Sequence, residues 1–413
     1  MEEIFVTKID IHQARNVKDL IIELSETERR HLIITGKNGS GKTSLLLELN
    51  KYLSQVIDGR LEERYRVLPQ LDALKKESIS NREGGIANLE LEQSIESLST
   101  LLGEFGETEI TFFNENHLNH RIINRDFLVI YFRDKRESKP IVPSGIKKIE
   151  FKDRYFSESS LGSQFIQYLV NLKADRSFAR DDGDNKEVER LDQWFDDFEK
   201  KLRDIFDAPS LRLKFDRKGR GYDFKIIEDG KEPYGFHQLP AGYSAIISIL
   251  SELILRIEAY GIKGYDVQGI FLIDEIETHL HVNLQKKILP LLTSFFPKIQ
   301  FIVTTHSPFV ISSIPNAVVC DLEKRLVIND TDLSGYSYDT LIESYFGADK
   351  YSDIVKHNLN EYEELVRAKD NLSPEQELRL VDLQEYFDSL PGYLVELNSE
   401  LSTRLTQIKL GIS

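Results

Sequence analysis

Sulfur is scarce in this chain of 413 residues, which holds one cysteine, Cys320, and one methionine; tryptophan is equally rare, with a single copy at Trp194. One cysteine permits no internal disulfide and no cysteine metal cluster, which suits a reducing compartment. Cys320 itself reads as a small buried hydrophobe following a strand. No apolar run approaches the roughly 20 residues of a membrane span. The opening MEEIFVTKIDI has no basic region leading into a long hydrophobic stretch, so the expected location is the cytoplasm, with no membrane contact. Fixed-period repeats and low-complexity tracts are missing as well. Basic residues are in deficit, 53 Lys and Arg against 69 Asp and Glu, for a net charge of -16. The chain as a whole therefore repels nucleic acid unless cations gather on one face. Lys147, Lys148, Lys152 and Arg154 form one small cluster, Arg217, Lys218 and Arg220 a second, Lys286 and Lys287 a third. They permit nucleic-acid contact without showing it.

What the chain does contain is organised around residues 32–49, LIITGKNGSGKTSLLLEL. An apolar run leads into a glycine-rich turn, and leucines at helical spacing follow. Its middle reads G-x-x-x-x-G-K-T with Gly36, Gly41, Lys42 and Thr43 on the fixed positions, the pattern of a phosphate-binding loop. Gly36, Gly39 and Gly41 let the backbone turn with its N–H groups pointing inward, and a helix starting near Lys42 aims its positive dipole end at the same point. Lys42 is placed to reach β- and γ-phosphates, and the Thr43 hydroxyl to ligate Mg²⁺. Lys37, Asn38, Ser40 and Ser44 complete the stretch assigned to the nucleotide.

Two further strands end in chemistry. Residues 269–275, GIFLIDE, close on two carboxylates: Asp274 is the candidate to hold Mg²⁺ and Glu275 to orient the water that attacks the γ-phosphate. Residues 299–306, IQFIVTTH, end in His306, whose neutral imidazole can hydrogen-bond a γ-phosphate oxygen. Between phosphate loop and double carboxylate lies FHQLPAGYSAIISILSELILRIEAY, a loop and a long helix, where Gly242 and Ser244 offer donors to an anion. Arg15, in the turn between the first two strands, is a candidate to flank the nucleotide.

The rest is read more coarsely. Residues 51–106 have helical spacing with a break at 81–85 and read as a helical hairpin too short for a long coiled coil. Residues 107–113 and 120–124 alternate like a β-hairpin, and FLVIYF, 127–132, reads as a buried core strand followed by Arg133 and Arg136, candidates for phosphate or partner contact. Helices with an amphipathic stripe through Trp194, Phe195, Phe198 and Leu202 are expected over 159–206, then a β-hairpin around RKGRG. Residues 331–413 read as a helical C-terminal region suited to docking a partner.

The phosphate loop, the double carboxylate, the histidine and their order resemble the ABC-type ATPases of the SMC, RecF and OLD branch. That resemblance implies an α/β fold, a mixed sheet flanked by helices, with helical insertions between residues 1–50 and 236–330. It makes Lys42, Glu275 and His306 catalytic and implies ATP and Mg²⁺ as cofactors. It also implies a homodimer in which ATP is sandwiched between the phosphate loop of one copy and Gly242 and Ser244 of the other. Two departures are visible: Pro240 and Ala241 stand where the family's signature has serine and glycine, and no glutamine presents itself for the Q-loop. Slow, partner-dependent hydrolysis is the expectation. Short insertions and a small helical tail look like the ATPase subunit of bacterial anti-phage systems such as Septu, with a separate nuclease as effector. Two alternatives stay open: a RecF-like repair ATPase that clamps DNA itself, and an OLD-like protein carrying its own nuclease, for which Asp330 and Asp332 give only a lone D-x-D.

Overall fold

The computed structural model describes the chain except residues 1, 84–88, 135–139, 152–160, 218–220, 260–266, 330, 336–352, 369–371, 390–402, 404–405 and 408–413. It divides into two compact units, 1–336 and 337–413.

The first unit is built on a six-stranded sheet whose order reflects which strands are apolar throughout. Strands β3 (His31–Thr35), β9 (Gln268–Ile273), β10 (Ile299–Thr304) and β11 (Ala317–Asp321) are buried at every position. Continuous burial is what a parallel sheet covered on both faces demands. With β5 (Phe127–Phe132) and the short edge strand β12 (Leu326–Ile328) the order is β12-β11-β3-β10-β9-β5, parallel except for β12. Helix α1 (Lys42–Ile57) lays Leu45, Leu46, Leu49, Leu53 and Val56 into the core, the spacing of one helical face. The mixed sheet with flanking helices is the α/β architecture that the motif order implied.

A second sheet, β2-β1-β4, joins β1 (Phe5–Ala14), β2 (Val17–Glu23) and β4 (Thr108–Phe113) in antiparallel pairs. Two buried glutamines fasten it to the central sheet. Gln268 Oε1 accepts from Ile4 N at 2.9 Å, while Gln300 accepts from Val6 N at 2.7 Å and donates to the carbonyls of Val6 and Arg30 at 3.0 and 2.8 Å. Each satisfies backbone groups at the edge of β1 that would otherwise be buried without a partner from the central sheet.

The β-hairpin expected over 107–124 is not formed. β4 pairs with β1 instead, and residues 118–123 are helix α4 (Leu118–Ile123), turning Leu118 into the core. An alternation of apolar residues that short fits one turn of amphipathic helix as well as a strand. Helices α2 (Leu61–Glu83) and α3 (Leu89–Gly103) pack through Val67, Leu71 and Leu102; α2 continues through the expected break as far as Glu83, and the rest of the break lies outside the described residues. Helices α5 (Phe165–Asp181) and α6 (Asn185–Phe206) cover a third sheet of β6 (Arg212–Asp216), β7 (Asp223–Ile227) and β8 (Tyr234–Gly235). Trp194 stacks on Phe198 with centroids 5.2 Å apart, so the aromatic stripe is core. Helix α7 (Ala241–Ala259) is buried on all sides from Ala245 to Ile257, its Glu252 and Arg256 paired at 2.8 Å. Helices α8 (Val282–Phe295) and α9 (Pro308–Ile311) follow β9 and β10.

In the second unit, α10 (Asp353–Arg367) and α11 (Pro374–Asp388) share a small core of Leu359, Tyr362, Leu365, Leu383 and Phe387. Arg379 grips Glu361 with two parallel bonds of 3.0 and 2.7 Å. No helix among the described residues is long and apolar enough to cross a membrane.

His31, at the head of β3, accepts from Phe301 N through Nδ1 at 3.0 Å. Burial, with the charge of Arg29 adding to it, holds the imidazole down to about 3. An unfolded histidine takes up a proton that the folded one refuses, so this group's contribution is complete above its unfolded pKa of 6.5 and is lost as pH falls toward 3. Between about pH 6.5 and 5 the wild type should lose about 2 kcal/mol more stability than His31→Gln. Equal losses of unfolding free energy for the two, measured by urea denaturation at each pH, would contradict a buried neutral His31.

Candidate functional site

Parallel pairing sets three strand ends side by side. Val303 pairs with Ile33 on one side and Ile273 on the other, so the chain leaves β3, β10 and β9 at the same edge. This edge is where open parallel sheets bind ligands. After β3 the backbone takes φ values of 134°, 82° and 104° at Gly36, Gly39 and Gly41, conformations that an L side chain strains to adopt. Gly41 then starts α1, and no side chain caps that helix end. Its first-turn N–H groups are left for an external acceptor.

A pocket of about 250 Å³ opens at this edge, lined by Arg15, Asn16, Asn38, Gly39, Gly41, Lys42, Thr43, Ser44, Glu275 and His306. Lys42 is 6% exposed and donates to the carbonyls of Gly36 and Lys37 at 3.0 and 3.3 Å. Burial lowers its pKa, with Glu275, Glu277 and Asp274 pulling the other way. Arg15, at a positive φ of 54°, brings the β1–β2 turn to the pocket rim.

The double carboxylate is held from the neighbouring strand. Asp274, 2% exposed, is fixed by its N–H to Phe132 O at 2.9 Å and by a hydrogen bond of 2.6 Å that Thr304 Oγ1 donates to its Oδ1. Glu275, at φ 44°, donates its N–H to the same Thr304 oxygen at 2.7 Å, and Ile276 N donates to Thr304 O at 3.1 Å. The Thr278 hydroxyl lies 3.4 Å from Glu275 Oε2. One strand over, His306 N donates to Glu277 Oε1. His306 Nε2 is shielded from solvent with no hydrogen-bond partner among the described residues, as is Glu277 Oε2.

Some of the expected site residues stand elsewhere. Lys37 turns outward into an ion pair of 2.8 Å with Glu323, its ammonium raised and the carboxyl lowered by their hydrogen bond. Gly36 and Ser40 do not line the pocket and lie close together, a Cβ on Gly36 falling 2.9 Å from Ser40 Oγ. Gly242 and Ser244 begin α7 outside the pocket; Gly242 packs against the chain after the carboxylates, a Cβ there falling 3.0 Å from Leu284 Cδ1. Arg133 is exposed at the end of β5, and Arg136, Lys152, Arg154, Lys218, Arg220 and Asp330 lie outside the described residues. Asp332 accepts from Ser334 N at 2.8 Å and serves a turn. Buried Cys320 has its thiol pushed up to about 12 by burial and by Asp321. Thr304 and Glu277 were not singled out from the sequence, although both stand within three residues of ones that were.

The donor set suits a nucleotide and its cation. Positive-φ glycines, an uncapped helix end and the unpartnered His306 Nε2 answer phosphate oxygens, and the Thr43 hydroxyl with the Asp274 carboxylate offers the oxygen ligands that Mg²⁺ selects.

The family model described as "AAA domain, putative AbiEii toxin, Type IV TA system" matches residues 32–312, more than half of the chain. The chain belongs to this family. Several curated proteins are similar to the chain. Septu protein PtuA of Bacillus mycoides (strain KBAB4) is 24% identical over 96% of this chain and 55% of its own length, and Retron Vc95 probable ATPase of Vibrio cholerae is 24% identical over 75% of this chain and 71% of its own. The chain thus spans about half the length of the PtuA protein it matches, and the resemblance to Septu ATPases read from the short insertions and helical tail is borne out at the level of sequence. Among solved structures, an SMC head bound to the C-winged helix domain of ScpA aligns with 80% of this chain and all of its own at 11% identity and a TM-score of 0.39. That likeness is too remote to build on. The AAA assignment covers the phosphate loop, the carboxylates and the histidine together.

The glycine geometry predicts a graded response to alanine. Gly39→Ala, with no atom within 4 Å of the added carbon, should cost about 1 kcal/mol from backbone strain alone. Gly41→Ala adds a carbon 2.9 Å from Val17 Cγ2 and should cost about 2–3 kcal/mol. Equal losses in chemical denaturation would contradict the close packing of the loop on β2.

Proposed function

We propose that the chain is an ATP-hydrolysing switch of the ABC type. ATP binds at the pocket, two copies close head to tail so that Gly242 and Ser244 of a second copy complete each site, and hydrolysis reopens them. The opening and closing controls a separate effector, a nuclease, in anti-phage defence. What carries the reading is one observation: Lys42, Glu275 and His306, from three different strand ends, face a single pocket above an uncapped helix.

The chemistry follows from positions. Lys42 exchanges its two carbonyl partners for phosphate oxygens, an ammonium in a dry cradle losing little hydration in the exchange. Thr43 and Asp274 hold Mg²⁺, which when bound neutralises charge on the phosphate oxygens. Glu275 accepts a proton from the attacking water, and His306 Nε2 gains the partner it lacks in a γ-phosphate oxygen, so that the site distinguishes triphosphate from diphosphate. Closure is then a population shift driven by contacts made only with the γ-phosphate present. Support for defence comes from the Septu and retron relatives, and α10 and α11 supply a self-contained unit suited to docking a partner. Pro240 and Ala241 in the signature position make slow hydrolysis the expectation for the isolated chain.

Two variants test the assignment. Lys42→Ala should weaken nucleotide binding on the order of 10–100-fold in a fluorescence titration. Unchanged affinity would remove the phosphate-loop assignment. Glu275→Gln should bind ATP as the wild type does, hydrolyse it roughly 100–1,000-fold more slowly, and accumulate as a dimer in light scattering. Normal turnover by that variant would sink the catalytic role of Glu275.

A further inference from the structure

We infer that Thr304 is the positioning residue of this site: its single hydroxyl sets the metal-holding carboxylate and the catalytic carboxylate at once. The inference rests on the ATPase reading and adds to it a group that touches no nucleotide itself.

Thr304 ends β10 and is completely buried. A threonine hydroxyl has one proton to give and lone pairs to receive. Here the proton goes to Asp274 Oδ1 at 2.6 Å, the short range of a hydroxyl donating to a carboxylate, and a lone pair receives Glu275 N–H at 2.7 Å. The rotor is therefore locked from both sides. The Thr304 carbonyl takes Ile276 N as well, so three consecutive residues after β9 hang on one residue of the next strand.

This attachment answers a need. Glu275 stands at φ 44°, where a residue with a side chain costs on the order of 1 kcal/mol, and strain of that kind persists only when the surroundings over-determine it. Without the hydroxyl, the Glu275 N–H loses its acceptor and Asp274 loses a charge-assisted bond in a place closed to water, both at a cost that relaxing the turn would relieve. A relaxed turn moves Glu275 off the pocket wall and shifts buried Asp274 with it, while leaving the phosphate loop, on another strand, untouched. His306 stands two residues beyond Thr304, and its N–H is tied back to Glu277 on the same turn. The γ-phosphate side and the metal side are thus mounted on one hydrogen-bonded unit.

The test separates the hydroxyl from the bulk of the side chain. Thr304→Val keeps the shape and removes the hydroxyl; Thr304→Ser keeps the hydroxyl and removes the methyl group. Fluorescent ATP is titrated into each protein across a Mg²⁺ series, with Mg²⁺-free ADP binding as the control for the phosphate loop, and turnover is measured separately. In Thr304→Val the Mg²⁺ concentration that half-saturates the gain in ATP affinity should rise about 10–100-fold with turnover falling in step, while Mg²⁺-free ADP binding stays as in the wild type. Thr304→Ser should return both readouts to within about threefold of the wild type. A wild-type Mg²⁺ requirement in folded Thr304→Val overturns the inference and leaves the ATPase reading standing; so does a Thr304→Ser protein as impaired as Thr304→Val. Should the valine variant not fold, Thr304→Ala is judged by the same readouts. A wild-type chain that binds no ATP overturns both the ATPase reading and the role of Thr304.

Discussion

Parallel hydrogen bonding of β3 to β10 and of β10 to β9 is the constraint on which the site depends. Parallel strands all end at one edge, so a turn after each is delivered to the same place. Here the three turns carry a phosphate cradle, two carboxylates and a histidine, from positions 36, 274 and 306 of the chain. Register does the fine placement: a slip of one residue would send every side chain of a strand to the opposite face. In β10 that would take the Thr304 hydroxyl away from Asp274 and the support from under Glu275.

Electrostatics at this edge follows from burial. Lys42 is nearly closed off from water among Asp274, Glu275 and Glu277, and the carbonyls of Gly36 and Lys37 accept its hydrogen bonds. Arg15 and Lys42 line the pocket with Glu275, so in a chain otherwise strongly acidic this edge gathers positive charge toward an anion. Lys37, one of the few cations close by, is committed to Glu323 at the surface.

The same sheet edge is steadied from behind. Gln268 and Gln300 lie on β9 and β10, the strands that carry the carboxylates and the histidine; Gln300 bonds the β1 backbone at Val6 and Gln268 the segment just before β1, at Ile4. The second sheet is thereby hydrogen-bonded to the strands that bear the chemistry, and its β1–β2 turn sets Arg15 at the pocket rim. Helix α7, buried on all sides from Ala245 to Ile257, packs Gly242 of its first turn against the segment that follows the carboxylates. In this chain the motifs thus stand on more than the matched AAA segment: β1 and β2, which precede it, are part of the second sheet, and a core helix packs beside the carboxylates.

By itself the sequence determined most of the local elements and which residues are the candidates for the site. GKNGSGKT is a turn that only glycines at those positions can make, the continuous apolar runs before it, before Asp274 and before His306 are strands only a doubly covered sheet can bury, and the stripe through Trp194 and Phe198 belongs to a core. These follow from short-range sterics and periodicity, which neighbouring residues carry among themselves. Only the tertiary structure decided what depends on partners distant in the chain. That β4 pairs with β1 across about a hundred residues while 118–123 coils into helix, that Lys37 faces Glu323 rather than the pocket, and that a threonine in an apolar strand supports both carboxylates cannot be read from spacing. Buried Gln268, Gln300 and Thr304 look like polar interruptions of hydrophobic strands until the groups they satisfy are in place, because a hydrogen bond is a property of two residues and the sequence shows them one at a time.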